Sequence, residues 1–435
     1  MMTSAVGGCR CAFLLTVIYQ QTMKKTFLLS LYLLFTLAFA KAKGSSQETD
    51  SILILKNVNI VEVSSGKILK DKSITIKNGN IAKIGRFPNK LKNARILDLN
   101  GQYVIPGLID THIHVTAPHK NSIEKTYSHL EYYLKHGITS ARDAGGDGGA
   151  LLQAQTEIRK GNRMGTDVFF SSFMAGDWYY NRGQNIRKDP YSSWEQRLMP
   201  GDDLDKAMAE AKACGATGVK LYHSFDKDFL ADVTVAAKRH QLKVWGHTML
   251  YPAKPVEVVN AGMEVLSHVS MLETMRTDSL FYRRTTPMAY KDSIIAGIDI
   301  IPFCKAMKKH HAILDATLCV SEAKDPWVFA LLKRIHEQGV KISTGTDQIV
   351  DLNRSYPRLI DELDYFVNKC GFTPAEALYS ATQISAEVIG QEKNRGSIKV
   401  GKRADIVILE ENPLLDITSL KNIYMVVQRG IIIKK

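Results

Sequence analysis

The stretch VIPGLIDTHIHV, residues 104–115, is a mostly apolar run that carries His112 and His114 near its end. A short apolar run of this kind favours a buried β-strand. Successive side chains of a strand point to opposite faces, so two histidines one residue apart project to the same side. Two neighbouring imidazoles at a strand end make half of a metal site. The missing ligands should then come from the ends of other strands.

Seven further segments share this short apolar character, and amphipathic segments separate them. They cover residues 137–143, 167–173, 218–222, 242–247, 263–268, 312–318 and 340–347. Residues 203–214 and 229–240, between such strands, show helical spacing. Alternating strands and helices form parallel sheets, and eight such units predict a closed (β/α)8 TIM barrel of the α/β class.

Both ends of this region are rich in β-strand residues of a different pattern. The segments are residues 52–61, 73–77 and 80–85 on one side and 396–409 and 423–433 on the other. Asn78-Gly79 is a hairpin signal, because both residues tolerate positive φ. We therefore expect one small β-sandwich domain built from both chain ends. The predicted boundaries are 51–103 and 391–435 for this domain and 104–390 for the barrel.

Residues 1–42 have the features of a cleavable secretory signal. Met23-Lys24-Lys25 is a positive start, an apolar core follows, and an A-x-A pattern ends at Ala40. Translation starting at Met23 fits this pattern better than a start at Met1. The alternative is an uncleaved N-terminal anchor. We expect a periplasmic or secreted protein that meets the membrane only through this segment.

Composition narrows the range of partners. The 435-residue chain has a formal net charge of +13, but its lysines and arginines are scattered and form no nucleic-acid motif. A solvated basic surface is the better interpretation, and no nucleic-acid partner is expected. The cysteines after the signal segment are Cys214, Cys304, Cys319 and Cys370. Their wide spacing predicts neither a zinc knuckle nor a dense disulfide framework.

Six side chains that could serve a metal site fall at or near the last positions of the predicted strands. They are His112, His114, Lys220, His247, His268 and Asp347. Working residues of (β/α)8 barrels lie at these strand ends. Taken singly, such a histidine is more often a packing residue, the lysine a snorkelling side chain and the aspartate a helix cap. Their occurrence together at the ends of five strands favours one shared site.

These motifs resemble the signatures of the amidohydrolase superfamily. The matching segments are residues 104–114 for the first strand, 218–221 for the fourth, 246–247 for the fifth, 267–268 for the sixth and 344–347 for the eighth, with closing segments 372–382 and 396–405. The resemblance extends from about residue 52 onward. Within the superfamily the chain looks nearest to the imidazolonepropionase-like and Xaa-Pro-dipeptidase-like group.

Lys220 distinguishes subtypes within that resemblance. An ammonium group has no lone pair and cannot bind a metal. In the superfamily CO2 converts this lysine to a carbamate that bridges two metals, and single-metal members lack it. The resemblance thus implies two divalent ions, with His112, His114 and Asp347 on the more buried one, His247 and His268 on the more exposed one, and Lys220 on both. These ligands suit zinc best, while manganese, nickel and iron stay open.

The implied activity is hydrolysis of an amide or peptide bond in a small substrate, such as a dipeptide or N-acyl amino acid. A hydroxide bridging the two ions would attack, and Asp347 would carry the proton to the leaving nitrogen. Tyr222, on the same strand face as Lys220, and its neighbour His223 are candidate oxyanion donors. Arg142 and the loop that carries Trp178 and Arg182 are candidates for binding an acidic or carboxylate group; alternatively, the loop only covers the barrel mouth.

Three other functions fit the same fold. A single-metal deaminase would not need Lys220. A hydrolase of cyclic amides or lactones could use the same centre. A non-catalytic metal-binding homologue fits less well, because no ligand position is missing. The expected partner is a small molecule or short peptide, and the sequence is compatible with a homo-oligomer without predicting one.

Overall fold

The computed structural model describes residues 52–87, 94–116, 122–184, 192–276, 288–321 and 326–433, with the backbone alone for 182–184 and 288–291. The predicted signal segment, residues 1–42, lies outside these ranges. Within them, none of the helices has both the length and the apolar character that a membrane span requires.

The chain first forms five strands. They are β1 (Ile52–Glu62), β2 (Lys67–Lys77), β3 (Asn80–Gly85), β4 (Ala94–Asp98) and β5 (Tyr103–Pro106). In β2, Ile74 and Ile76 are buried whereas Lys77 is exposed, the alternation of a sheet with one face on a core. The predicted turn at Asn78-Gly79 joins β2 to β3, and both of its residues have positive φ.

The strands of the predicted barrel follow. They are β6 (Leu108–Ile113), β7 (Ile138–Asp143), β8 (Asp167–Ala175), β10 (Gly218–Leu221), β11 (Lys243–His247), β12 (Val265–Ser267), β13 (Ile313–Asp315) and β14 (Lys341–Ser343), with β9 (Glu195–Arg197) added beside β8. Each barrel strand pairs in parallel with the next one along the chain. Backbone hydrogen bonds from Thr111 to Thr344, 2.9 Å, and from Asp347 to His112, 2.8 Å, join the first strand to the last. The barrel prediction is confirmed.

α-Helices follow the barrel strands along the chain. They are α1 (Ile123–Lys135), α2 (Gly148–Lys160), α3 (Asp177–Gln184), α4 (Leu204–Ala213), α5 (Lys227–Arg239), α6 (Pro255–Asn260), α7 (Met288–Ala296), α8 (Ile301–Lys309), α9 (Leu318–Ser321), α10 (Val328–Glu337), α11 (Arg358–Cys370), α12 (Pro374–Tyr379) and α13 (Ser385–Val388). In α5, Asp226 caps the first turn, and Leu230, Val233 and Ala237 are buried at helical spacing. This apolar face packs α5 against the barrel.

The last strands return to the first sheet. They are β15 (Ile406–Leu409), β16 (Ile423–Gln428) and β17 (Ile431–Ile433). β15 pairs antiparallel with β5, which places both chain ends in one eight-stranded sheet. Leu55 of β1, Ile76 of β2 and Ile408 of β15 belong to an apolar cluster made by this sheet. The prediction that both chain ends build one β-structure is confirmed, with the strands hydrogen-bonded as one continuous sheet, while the predicted domain boundaries stay a prediction.

An apolar layer fills the barrel interior below the strand ends. Its members on the strands include Phe169, Trp245, Val265 and Ile313. Two positions beyond Trp245, Val265 and Ile313, the same strands place His247, Ser267 and Asp315. Side chains two residues apart share a face of a strand, so these polar groups lie above the layer, inside the barrel.

Candidate metal centre

Imidazole and carboxylate groups converge at the C-terminal ends of the barrel strands. His112, His268 and Asp347 offer ligand atoms that all lie within 4.8 Å of one another. Nε2 of His114 is 3.1 Å from Oδ1 of Asp347, and the ring centroid of His247 is 4.7 Å from that of His268. These donor types are the ones that zinc prefers. The five predicted imidazole and carboxylate ligands therefore come together in space.

Two of these candidate ligands have an unusual backbone conformation. His268 and Asp347 have φ of 78° and 49°, a region that residues other than glycine seldom adopt. Such conformations concentrate at functional sites. Gly345, in the TGTD motif, lies so close to β6 that an added Cβ would come 2.7 Å from the Cβ of His112. A glycine is required there because the first and last strands approach so closely.

Oxygen partners orient three of the histidine rings. Nδ1 of His112 lies 2.8 Å from Oδ2 of Asp315, Nδ1 of His114 lies 3.0 Å from the Gly145 carbonyl oxygen, and Nδ1 of His268 lies 2.8 Å from Oγ1 of Thr317. The carboxylate and the carbonyl can only accept, so Nδ1 of His112 and of His114 carries the proton. Nε2 of each then keeps a lone pair for a metal, the usual arrangement around a metal-binding histidine. The residues present therefore fit a metal ion.

Lys220 lies in the barrel interior with 2% of its surface exposed. Its Nζ is 3.4 Å from Oγ of Ser267. Burial, assisted by the positive charge of Arg142, lowers the pKa of Lys220 to about 7. A substantial fraction of this amine is therefore neutral, and nucleophilic, at neutral pH.

Asp315 belongs to the candidate centre, and the sequence interpretation missed it. Its side chain is fully buried and accepts hydrogen bonds from Thr111 Oγ1 at 3.0 Å and Ser267 Oγ at 2.8 Å. It also faces His112 Nδ1, and Nη2 of Arg142 lies 2.9 Å away. Burial alone would raise the pKa of Asp315, but His112 and Arg142 lower it below its ordinary value. The result is an ionised carboxylate that links a histidine ligand to the surroundings of Lys220.

We expect Asp315→Asn to weaken metal binding about 10- to 100-fold, because an amide holds the His112 ring less firmly than a carboxylate does. Competition of the folded variant with a chelator measures this affinity. Asp228→Asn, at an exposed position of α5, is the matched control. Wild-type affinity in folded Asp315→Asn would remove Asp315 from this positioning role.

Asp347 remains ionised and accessible. Burial would raise its pKa, but His112, His114 and His268 together lower it below the ordinary value. Its side chain is 20% exposed, against 2% for His112. Of these two ligands, Asp347 is the one that a substrate entering the barrel mouth can reach.

The two candidate oxyanion donors lie in different places. The ring of Tyr222 is 4.1 Å from that of His247, beside the metal ligands. His223 instead stacks on Trp178 at 4.3 Å, and its Nδ1 bonds Ser224 Oγ at 2.6 Å. Burial lowers the pKa of His223 to about 4, so its ring is neutral. Tyr222 is brought to the centre, and the prediction for His223 is not supported.

The residues predicted to bind substrate also lie in different places. Arg142 is fully buried below the ligands, where its guanidinium binds Asp315 and lies 5.0 Å from the Trp245 ring. A guanidinium enclosed in this way holds Asp315, and its burial does not support the prediction that it anchors a substrate carboxylate. Trp178, on α3, is 43% exposed. Arg182 belongs to the same helix, and its side chain lies outside the described part.

Comparison with known proteins identifies relatives of this fold and centre. The amidohydrolase family model matches residues 103–433. The 5'-deoxyadenosine deaminase of Methanobrevibacter smithii is 24% identical over 407 residues, covering 84% of this chain and 85% of that protein. A solved Xaa-Pro dipeptidase with bound methionine has a TM-score of 0.72 at 20% identity, covering 88% of this chain and 100% of that one. A. niger ochratoxinase has a TM-score of 0.68 at 19% identity, covering 88% and 95%.

These relatives agree with the geometry. The solved structures share the fold, at identities too low to carry an activity across. The family match spans most of the chain and includes every barrel strand. The family match supports a hydrolase that acts on carbon–nitrogen bonds. The chain belongs to the amidohydrolase family.

Proposed function

We propose that the protein hydrolyses an amide or peptide bond in a small substrate, such as a dipeptide or N-acyl amino acid, with two divalent metal ions. The observation that carries the proposal is Lys220, buried beneath the converging histidines with a pKa lowered to about 7. By the family resemblance, single-metal members lack this lysine. A lysine placed here therefore favours a two-metal centre.

The lysine would act as a carbamate. The neutral Nζ adds to the carbon of CO2: a new N–C bond forms, one C=O π bond breaks with its electron pair moving to oxygen, and Nζ releases one proton to water. The product replaces a buried amine with an anionic group that has two oxygen ligands. Ser267, whose Oγ lies 3.4 Å from Nζ, is a polar neighbour for it. His112, His114 and Asp347 would hold one ion, and His247 and His268 the other.

The bound ions, most suitably zinc, would polarise the scissile carbonyl and lower the pKa of a water so that it attacks at neutral pH. Asp347 takes the proton of that water on its carboxylate and delivers it to the leaving nitrogen as the C–N bond breaks. The neighbouring histidines keep Asp347 ionised until it accepts this proton. The Tyr222 hydroxyl, beside His247, donates to the carbonyl oxygen as negative charge develops there.

Deamination is the second candidate function. The observation in its favour is 24% identity to a deaminase over 84% of the chain. Lys220 weighs against it, because a single-metal centre would leave that buried amine without a role. Hydrolysis of cyclic amides or lactones would use the same two-metal centre. The signal-like residues 1–42 support a periplasmic or secreted location for the enzyme.

The test is a substrate panel on the full-length, metal-loaded protein. Dipeptides and N-acyl amino acids are incubated in parallel with 5'-deoxyadenosine and simple lactones, and products are identified by mass spectrometry. We expect release of free amino acids, lost on removal of metal by a chelator and restored by zinc. Ammonia release from the nucleoside, without amide cleavage, would replace this proposal with the deaminase.

A further inference from the structure

Three half-buried aromatic rings lie together on one side of the metal centre. The ring centroids of Phe173 and Tyr179 are 5.2 Å apart, and each lies 5.0 Å from that of Tyr222. The Tyr222 ring in turn contacts His247 at 4.1 Å. We call Phe173, Tyr179 and Tyr222 the aromatic wall.

Strand register shows that Phe173 and Tyr222 lie on the same face of the sheet as Lys220, the inner face of the barrel. Phe173 of β8 is the register partner of Lys220 in β10. Register partners point to the same face of a sheet, and Tyr222 shares that face because it lies two residues beyond Lys220. Phe173 and Tyr222 are therefore on the face that carries Lys220. Tyr179, from α3, completes the wall by packing on both.

The wall extends along one side of the centre, from the surroundings of His114 to His247. A Cβ added to Gly145 would lie 3.3 Å from the Phe173 ring. The carbonyl of the same Gly145 bonds Nδ1 of His114. Tyr222, at the other end, touches His247. A substrate bound between His114 and His247 would therefore lie beside the aromatic wall.

The part of the wall supplied by α3 is held in place. The Gly176 amide donates to the His223 carbonyl at 2.9 Å. The Tyr180 hydroxyl, in the next turn, donates to the Gln196 carbonyl at 2.9 Å, and Tyr180 is only 3% exposed. A Cβ on Gly176 would come 2.6 Å from Cβ of Ser224, so the close loop contact requires glycine. These contacts attach the start of α3, the helix that supplies Tyr179, to the neighbouring loops.

We infer that the substrate carries a bulky apolar group, best an aromatic one, next to the hydrolysed bond, and that the aromatic wall binds it. This inference rests on the proposed function of the same centre. Aromatic faces and edges favour such a partner in offset or edge-to-face contact. The sequence had pointed to an acidic group instead, but Arg142, one of the cations invoked for it, is buried below the ligands.

The experiment compares matched substrates that differ only in the aromatic group. N-acetylphenylalanine is set against N-acetylalanine, and phenylacetylglycine against acetylglycine, for metal-loaded wild type, Tyr179→Ala and Phe173→Leu. We expect the wild type to prefer the aromatic member of at least one pair about tenfold or more in kcat/KM. Both variants should bring that ratio close to one, mainly through KM. Tyr424→Ala, which removes a 47% exposed ring from β16, should leave the ratio unchanged.

Equal kcat/KM within both pairs for the wild type, or an equal loss for both members in the variants, would overturn the inference. Calorimetric binding of L-phenylalanine and L-alanine decides the case in which no substrate is cleaved. If no substrate is cleaved but phenylalanine binds more tightly than alanine, and Tyr179→Ala loses this difference, then the inferred role of the aromatic wall stands and the proposed function fails. Equal binding without cleavage would overturn both. Thermal unfolding confirms that each variant is folded.

Discussion

Replacing Asp347 with asparagine lowers kcat about 10²- to 10⁴-fold while the barrel stays folded, the expected cost of losing a general acid–base group. The amide keeps the size of the side chain and one oxygen able to face the imidazoles. It cannot take up a proton from water and deliver it to nitrogen. Nε2 of His114 lies 3.1 Å from the carboxylate, so the variant also tests the ligand role of this residue.

Metal content separates the two roles of Asp347. Plasma emission spectrometry of the purified variant gives the ions per chain, and kcat is then measured on fully loaded protein. Asp351→Asn, four residues further on and exposed, is the matched control and should behave like wild type. More than about a tenth of wild-type kcat in loaded Asp347→Asn would eliminate Asp347 as the proton shuttle, since the expected loss is at least 10²-fold.

The site could be predicted in part because strand alternation is a local property. His112 and His114, or Lys220 and Tyr222, must share a face once the strand is recognised. The same rule sends His223, the neighbour of Tyr222, to the other side, where the structure has it stacked on Trp178. The separation of His223 from Tyr222 could therefore be predicted from the sequence.

The depth of a side chain within the barrel, and its contacts with other strands, could not be predicted from strand alternation. Asp315 contacts His112, which is 203 residues away in the chain. The residue pattern around Asp315 and the pattern around His112 give no sign of this contact. Arg142 was correctly placed near a strand end, but only the packed structure shows it enclosed at the level of Asp315. Both depend on how far each strand is shifted along its neighbours, which one sequence does not state.

The residues of α3 illustrate the same limit on a smaller scale. Trp178, Tyr179 and Tyr180 are consecutive and chemically similar. In the structure Trp178 is 43% exposed, Tyr179 joins the aromatic wall and Tyr180 is buried at 3%. Helical geometry separates neighbours by about 100°, so their roles depend on which face the barrel meets. The sequence allowed two interpretations of this loop, substrate binding or a cover over the barrel mouth, and named Trp178 as a candidate, but it could not show which of the three rings faces the barrel.

Replacing Lys220 with methionine should reduce the metal content from about two ions per chain to about one or fewer, and remove activity with it. Methionine keeps the length and apolar stem of the buried lysine but has no amine to carboxylate. In wild type, ¹³C-labelled bicarbonate should give a carbamate signal by NMR that is absent from the variant. Lys227→Met, at an exposed position of α5, is the matched control.

The lowered pKa of Lys220 adds a dependence on pH to the same prediction. Below a pKa of about 7 the amine is mostly protonated and cannot attack CO2; above it the neutral form dominates. Reloading of metal-free wild type with zinc and bicarbonate should therefore slow as the pH falls below 7, whereas Lys220→Met should show no such bicarbonate-dependent step. One ion and no carbamate in wild type would contradict the two-metal centre. Two ions in a Lys220→Met variant that stays active would remove Lys220 both as a metal ligand and as a residue needed for activity. An inactive variant that retains both ions would instead give Lys220 a role in catalysis without a role in holding metal.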